Sequence, residues 1–401
     1  MGPLHFVGES GMLECDYCGS KFAPQEIEEF YNARAAQEGD KPSTTQEPQD
    51  AQRPENEPQT VQGEQPGTSQ PQQAGPAAPA DPTPSGSPTP QDGPTAANEH
   101  PTWENSEREN LRAYTCESCG AQLLTDDTTA VTNCPYCGNP AVLPGQLENA
   151  LRPELVIPFR YTKQQAIDAL KAYYKDKKFL PNGFADENHL QEIQGVYVPF
   201  WLFDAKAQGS ATFDATRTTA WADSKNNYIK TDHYKATRKG SVEFSRVPVD
   251  ASSKMPDAHM DAIEPFDYSD LQPFSMGYLP GYVTDRYDED ADFCRPRAEG
   301  RIEQTTTDLL GGTVVGYESV VPETCDVSPT WGNAAYALLP VWMLHTKYNG
   351  RDLLFAMNGQ TGKLIGDLPV DKGKVALHFL ALFVPIAVLL VALIFVFLAR
   401  W

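Results

Sequence analysis

The longest uninterrupted apolar stretch of the chain is Leu377 to Leu398, 22 residues in which only His378 can ionise. At ~1.5 Å per residue it makes ~33 Å of helix, enough to cross a ~30 Å hydrocarbon core. It has no polar stripe, so residues 375–399 are expected to form a single transmembrane helix. The opposite pattern fills residues 39–112, where Pro, Gln, Glu, Thr and Gly dominate and large apolar residues are scarce. Such a segment cannot offset the entropy of ordering and is expected to be a disordered linker, kept extended by its prolines. Whatever precedes it should then sit tens of Å from the rest, by the same rule for Pro-rich chains.

Residues 147–371 carry mixed periodicities and are expected to form an α+β domain, mostly antiparallel β. Thr162-Lys163-Gln164-Gln165 resembles a capping box, after which Ile167, Leu170 and Tyr174 share a helical face up to about Lys178. A second helix is expected from Pro296 to Gly311-Gly312. Strands are expected at Val196 to Ala207, Asn227 to Ala236, Val242 to Val247, Thr313 to Val321 and Tyr336 to Tyr348. Asn349-Gly350 then turns into Asp352 to Met357, and Asn358-Gly359 opens the next turn. Ile157-Pro158-Phe159, Val198-Pro199-Phe200-Trp201 and Leu339-Pro340-Val341-Trp342 look alike, as a duplicated half-domain or simply as three strand entries.

Chemistry enters with the cysteines. Cys116, Cys119, Cys134 and Cys137 form C-x2-C-x14-C-x2-C, each pair followed by a glycine. This is the spacing of two knuckles that deliver four thiolates to tetrahedral zinc, so residues 113–146 are expected to be a zinc ribbon. Two disulfides would need an oxidising compartment, and the opening Met1-Gly2-Pro3-Leu4-His5-Phe6 has no signal-peptide pattern. The apolar content of the stretch (Leu123, Leu124, Val131, Val142) is small enough that metal should do much of the folding. A lone pair, Cys15 and Cys18, reads like the second half of another ribbon, so residues 1–38 are a partial ribbon plus a short helix. Either its first knuckle lies upstream of Met1, or the ribbon is degenerate; both thiols are candidate metal ligands.

Charge limits the function. The chain carries −22, of which −13 falls in residues 1–112 (19 acids, 6 bases), and residues 113–151 contain no Lys or Arg. Without cations to release counterions from phosphates, nucleic-acid binding by the ribbon is not expected. Gly359-Gln360-Thr361-Gly362-Lys363-Leu364 lacks the P-loop spacing and its Ser or Thr, and reads as a turn. The acidic run Asp285 to Asp292 departs from the EF-hand pattern and reads as a solvated loop. Cys294 and Cys325 read as reduced core thiols. The seven histidines have no ligand spacing, and no nucleophile, base and orienter assemble, so an enzyme is not expected.

The runs Tyr136-Cys137-Gly138-Asn139-Pro140-Ala141-Val142, Val156-Ile157-Pro158-Phe159 with Lys163, Gly195 to Phe203 (GVYVPFWLF), Leu279-Pro280-Gly281-Tyr282, Leu338 to Trp342 (LLPVW), Phe355 to Lys363 and Gly366 to Pro369 together resemble the bacterial membrane-anchored TFIIB-type zinc ribbon-containing protein family (YdjG-like). The resemblance covers nearly the whole chain except the linker. It implies two ribbons ahead of a central domain, a membrane span after it, and Zn2+ as cofactor. It further implies a non-enzymatic adaptor that recruits SPFH-domain or phage-shock-protein-A-like stress proteins to the cytoplasmic membrane, its body in the cytoplasm. The alternative is a membrane-tethered nucleic-acid-binding or transcription-linked regulator. The missing first knuckle and the long insertion depart from the family pattern.

Overall fold

The computed structural model describes residues 4–8, 10–15, 18–38, 100–126, 129, 131, 133–140, 142–145, 151–175, 177–182, 184 and 188–399. In chain order its strands are β1 Leu4–Val7, β2 Met12–Cys15, β3 Lys21–Phe22, β4 Leu111–Cys116, β5 Gln122–Asp126, β6 Val142–Gly145, β7 Leu155–Val156, β8 Gln194–Ala222, β9 Asn227–Asp250, β10 Gln272–Pro273, β11 Val283–Asp285, β12 Ser319–Tyr348, β13 Arg351–Asn358 and β14 Leu364–Gly366. The helices are α1 Pro24–Glu38, α2 Asn105–Glu109, α3 Lys163–Lys175, α4 Asp257–Ile263, α5 Ala291–Gly312 and α6 Lys372–Ala399. The fold is mixed α+β with mostly antiparallel pairing.

Eight strands follow one another in a single sheet, β10-β7-β12-β8-β11-β5-β4-β6, with β9, β13 and β14 joined at its branches. The first half of β8 shows why its sequence is a continuous apolar run. Tyr197, Trp201 and Phe203 face one core, which also takes Tyr336, Leu338 and Trp342 of β12. Val196, Val198, Phe200 and Leu202 face a second core with Ala337, Leu339 and Val341. A strand buried on both faces needs apolar side chains at every position. Two of the three prolines expected at strand entries, Pro199 and Pro340, instead sit mid-strand, Pro199 opposite Leu338 and Pro340 opposite Tyr197. Their carbonyls stay in use, accepting the amides of Ala251 and Gly359.

Beyond this body β8, β9 and β12 continue as a long three-stranded blade. β8 has 29 residues and β12 has 30, so each strand would reach roughly 95 Å if straight. The outer halves alternate polar with small residues, which is why they read only in part as strands. α5 lies along one face: Ile302, Thr306 and Leu310 are buried, and a Cβ at Gly209 would fall 2.6 Å from Thr306 Cγ2.

Several expectations are corrected. Residues 4–38 are not held apart from the body. Leu4, Phe6, Leu13 and Ile27 are buried in the first core, and Tyr282 Oη donates to the Phe6 carbonyl at 3.1 Å. Apolar burial outweighs whatever separation the intervening segment would favour. The expected linker, 39–112, ends too late: Trp103 is buried edge-on against Phe274, α2 follows, and β4 begins at Leu111. Residues 39–99 lie outside those described. α5 starts at Ala291 rather than Pro296, because Asp290 accepts the Phe293 amide at 2.8 Å and caps it. Thr313 closes that helix by bonding Leu310, so β12 begins only at Ser319. The helix at Lys163, by contrast, has the reciprocal Thr162–Gln165 bonds of a capping box.

α6 is long and apolar enough to cross a membrane, and its apolar window is not buried inside the protein.

Candidate metal centre

The four thiols of Cys116, Cys119, Cys134 and Cys137 lie within 4.8 Å of one another. Cys116 Sγ to Cys137 Sγ and Cys119 Sγ to Cys134 Sγ are both 3.6 Å. Tetrahedral thiolates at ~2.3 Å from an ion sit about 3.8 Å apart, so these separations are close to what a four-coordinate metal ion requires. None of the cysteines is in a disulfide.

Backbone turns place these atoms. The Gly120 amide donates to the Cys116 carbonyl at 2.8 Å and the Cys116 amide to the Ala121 carbonyl at 2.9 Å. The second knuckle repeats the pair at Gly138 to Cys134 and Cys134 to Asn139, both 2.9 Å. Each closes through a left-handed glycine, φ +74° at Gly120 and +68° at Gly138. The first knuckle follows β4 and leads into β5; the second precedes β6, which returns to pair with β4.

Burial and amide dipoles pull the thiols in opposite directions. Burial pushes Cys119 up to about 11 and Cys134 higher still. At Cys116 burial also acts upward, but backbone amides of Cys119 and Ser118 outweigh it and hold the thiol below its ordinary value. A bound cation would drive all four to thiolate.

The centre is built into the main sheet rather than beside it. β5 pairs with β11, Leu124 opposite Thr284 and Leu123 opposite Asp285, and β11 pairs in turn with β8. Cys116, Ala121, Leu123, Cys134 and Tyr136 belong to the second core together with Val196 and Phe200. The apolar support for this segment therefore comes from the body, which the local composition did not reveal.

Three residues that the sequence does not mark as part of the site, Tyr136, Asp285 and His345, pack against it. Tyr136, between the second pair of cysteines, donates its hydroxyl to Asp285 Oδ2 at 2.5 Å in a buried contact. Burial pushes the Asp285 carboxyl up to about 7, and raises Tyr136 well above the ordinary tyrosine value. Asp285, expected in a solvated acidic loop, lies instead buried in β11, because β5 and β8 flank that strand. His345 packs its ring against Gly138, where a Cβ would be 2.6 Å from Nδ1, and its Nε2 stands 3.3 Å from Asp352. Burial holds that imidazole below its usual value. The tyrosine inside a C-x2-C loop was the one signal available.

Cys15 and Cys18 form a third knuckle of the same design. The Gly19 amide donates to the Cys15 carbonyl at 2.9 Å, the Cys15 amide to the Ser20 carbonyl at 3.0 Å, and Gly19 has φ +65°. Cys15 is buried and Cys18 exposed, with the Cys18 thiol 3.1 Å from Ser20 Oγ. That serine is the main cause holding the Cys18 thiol below its ordinary value. No metal-ligand group among the described residues includes this pair. The Gly359–Lys363 segment is a turn, closed by Gly362 N to Asn358 O at 2.9 Å, with Lys363 Nζ bonded to the Glu264 carbonyl.

No family model matches the chain, and no solved structure matches it significantly. It is 36% identical over 239 residues to the uncharacterized protein YdjG of Bacillus subtilis (strain 168), a match spanning 60% of this chain and 70% of that one. At that identity and coverage, the chain belongs to the family of YdjG.

Proposed function

We propose that the chain is a zinc-binding, non-enzymatic adaptor anchored in the cytoplasmic membrane by α6, with its body in the cytoplasm. Zinc is favoured by the donor set, four thiolates in two knuckles with the closed geometry of a structural site. Cys116, Cys119, Cys134 and Cys137 would hold the ion, which would lock β4, β5 and β6 against one another. Cys15 and Cys18 would hold a second ion only where two further ligands meet them.

The observation that carries the adaptor reading is the blade. Residues 205–247 hold eight Lys or Arg against four Asp or Glu, and the outer half of β12, residues 319–334, adds Glu323 and Asp326 with no base, so the blade carries +2 in a chain of net charge −22. Among the described residues its outer strand β9 pairs with β8 alone, so one ladder edge is open to an added strand, and its slight basic excess favours acidic surfaces. The same sheet runs without a break into the thiol centre. A rigid reach from an anchor suits the recruitment of SPFH-domain or phage-shock-protein-A-like proteins.

Cross-linking in membranes, followed by mass spectrometry of what co-purifies with the full chain, tests this. Recovery of such proteins by the intact chain and their release to the soluble fraction on deletion of Leu377 to Leu398 supports the reading. Recovery of nucleic acid in a salt-sensitive manner instead would transfer support to a regulator.

A further inference from the structure

At the foot of α6 the structure gathers lysines and apolar side chains that are far apart in sequence. The Asp371 amide donates to the Phe179 carbonyl at 2.8 Å. Lys374 Nζ reaches both the Leu180 carbonyl and Asn182 Oδ1 at 2.6 Å. The Phe179 ring stands edge-on to the ring of His378, 5.5 Å between centroids. Residues 177–182 are thus tied to the first two turns of the helix, at the point where its apolar run begins.

Between residues 177–180 and Leu368–Val370 lies a groove of about 360 Å3. Its floor is apolar, and Val370 is 60% exposed. Its rim is cationic, lined by the exposed Lys177 and Lys178, and Lys372, two residues past Val370, is exposed at the start of the helix. Lys177 lies over the Tyr173 ring at 4.3 Å. No carboxylate among the described residues pairs with any of these three. Asp371, the nearest acid in the helix start, accepts the amides of Gly373 and Lys374 at 2.8 and 3.2 Å.

We infer that this groove is a second membrane contact, binding the headgroup and glycerol region of an anionic phospholipid. The inference rests on the reading of α6 as a membrane span. If Leu377 enters the hydrocarbon, the Phe179–His378 contact puts Phe179 at the boundary between hydrocarbon and headgroups. The ammonium groups of Lys177, Lys178 and Lys372 then stand at the depth of the lipid phosphates. Each lysine near an anionic surface contributes attraction that a zwitterionic surface does not supply. The four lysines gathered at this end, Lys374 included, also favour keeping the body on the cytoplasmic side, an asymmetry the linear sequence hides because Lys177 and Lys178 are so distant from the span.

The test reconstitutes the full chain into vesicles of phosphatidylcholine doped with phosphatidylglycerol, and counts lipids retained per chain by native mass spectrometry. Wild type should keep phosphatidylglycerol in preference to phosphatidylcholine. The triple variant Lys177→Gln/Lys178→Gln/Lys372→Gln should lose that preference by roughly fivefold or more, and the matching triple Lys→Arg variant should restore it. Alkaline extraction of the same vesicles separates the two readings. A chain that stays in the bilayer with unchanged lipid preference in the Gln variant overturns the groove and leaves the span intact. A chain extracted at alkaline pH overturns both.

Discussion

At Cys116, Cys134 and Cys15 alike, the cysteine amide bonds the carbonyl five residues on and its own carbonyl receives the amide of a left-handed glycine. The three knuckles are one local structure, written by C-x2-C-G. What differs is the surroundings. The first two face each other because β4 pairs with both β5 and β6, and the resulting four thiols converge. The third sits at the end of β2 with its second thiol exposed. A knuckle therefore specifies two ligands, and strand pairing decides whether the other two arrive.

Both regions also depend on the same body, and removing that support tests how far the comparison holds. Leu123 and Leu13 are each fully buried, one beneath the four-thiol centre and one beneath the lone knuckle. Leu123→Ala and Leu13→Ala should each destabilise the chain by about 2–5 kcal/mol in denaturant unfolding of the detergent-solubilised protein. Only Leu123→Ala should also speed metal loss to a chelator. If both did so equally, the lone knuckle would be coupled to the metal site.

Tyr136→Phe removes the donor to buried Asp285 and should cost about 1–3 kcal/mol in the same unfolding measurement. Cys18 and its serine, exposed to solvent, offer no equivalent contact, so Ser20→Ala should change little. The pH dependence follows from the same pair. The Asp285 carboxyl is raised by burial to about 7 in the folded chain, against ~3.9 unfolded. Its folded form binds the proton more tightly, so its contribution to stability is complete below about pH 4 and is lost as pH rises through about 7. Asp285→Asn should flatten that part of the stability curve.

Smaller effects separate the glycines. Gly19→Ala forces a left-handed alanine whose Cβ would meet nothing nearer than Glu14 Oε1 at 3.7 Å, at about 1–2 kcal/mol. Gly138→Ala has the same backbone cost and also drives a Cβ to 2.6 Å from His345 Nδ1. It should be the more damaging of the two, read from unfolding midpoints and from the rate of metal release. Equal costs would mean that His345 moves aside freely.

How much of this was legible in the sequence varies with the physics of each element. The cysteine spacing foretold the four-thiol cluster because each knuckle is local and the strands that bring the two together, β4 to β6, all lie within residues 111–145. The apolar run foretold α6 for the same reason, as did the Thr162–Gln165 box for α3. The continuity of the sheet was not legible, since Leu123 opposite Asp285 joins segments more than 160 residues apart. The blade was under-read because polar alternation on exposed strands resembles loop composition. Residues 4–38 lie against the body, although the composition between them and it suggests reach, because the hairpin face of Leu4, Phe6 and Leu13 is apolar enough to be buried there.

The central claim is that this chain holds its metal in one place, the paired knuckles. Elemental analysis of the purified full-length protein, alongside Cys134→Ser and the double variant Cys15→Ser/Cys18→Ser, tests it most directly. The account predicts one zinc per chain in the wild type, the same in the double variant, and loss of the ion in Cys134→Ser, where affinity should fall by more than the roughly 10–100-fold typical of losing a supporting contact. Zinc retained in Cys134→Ser, or lost in Cys15→Ser/Cys18→Ser, would contradict it.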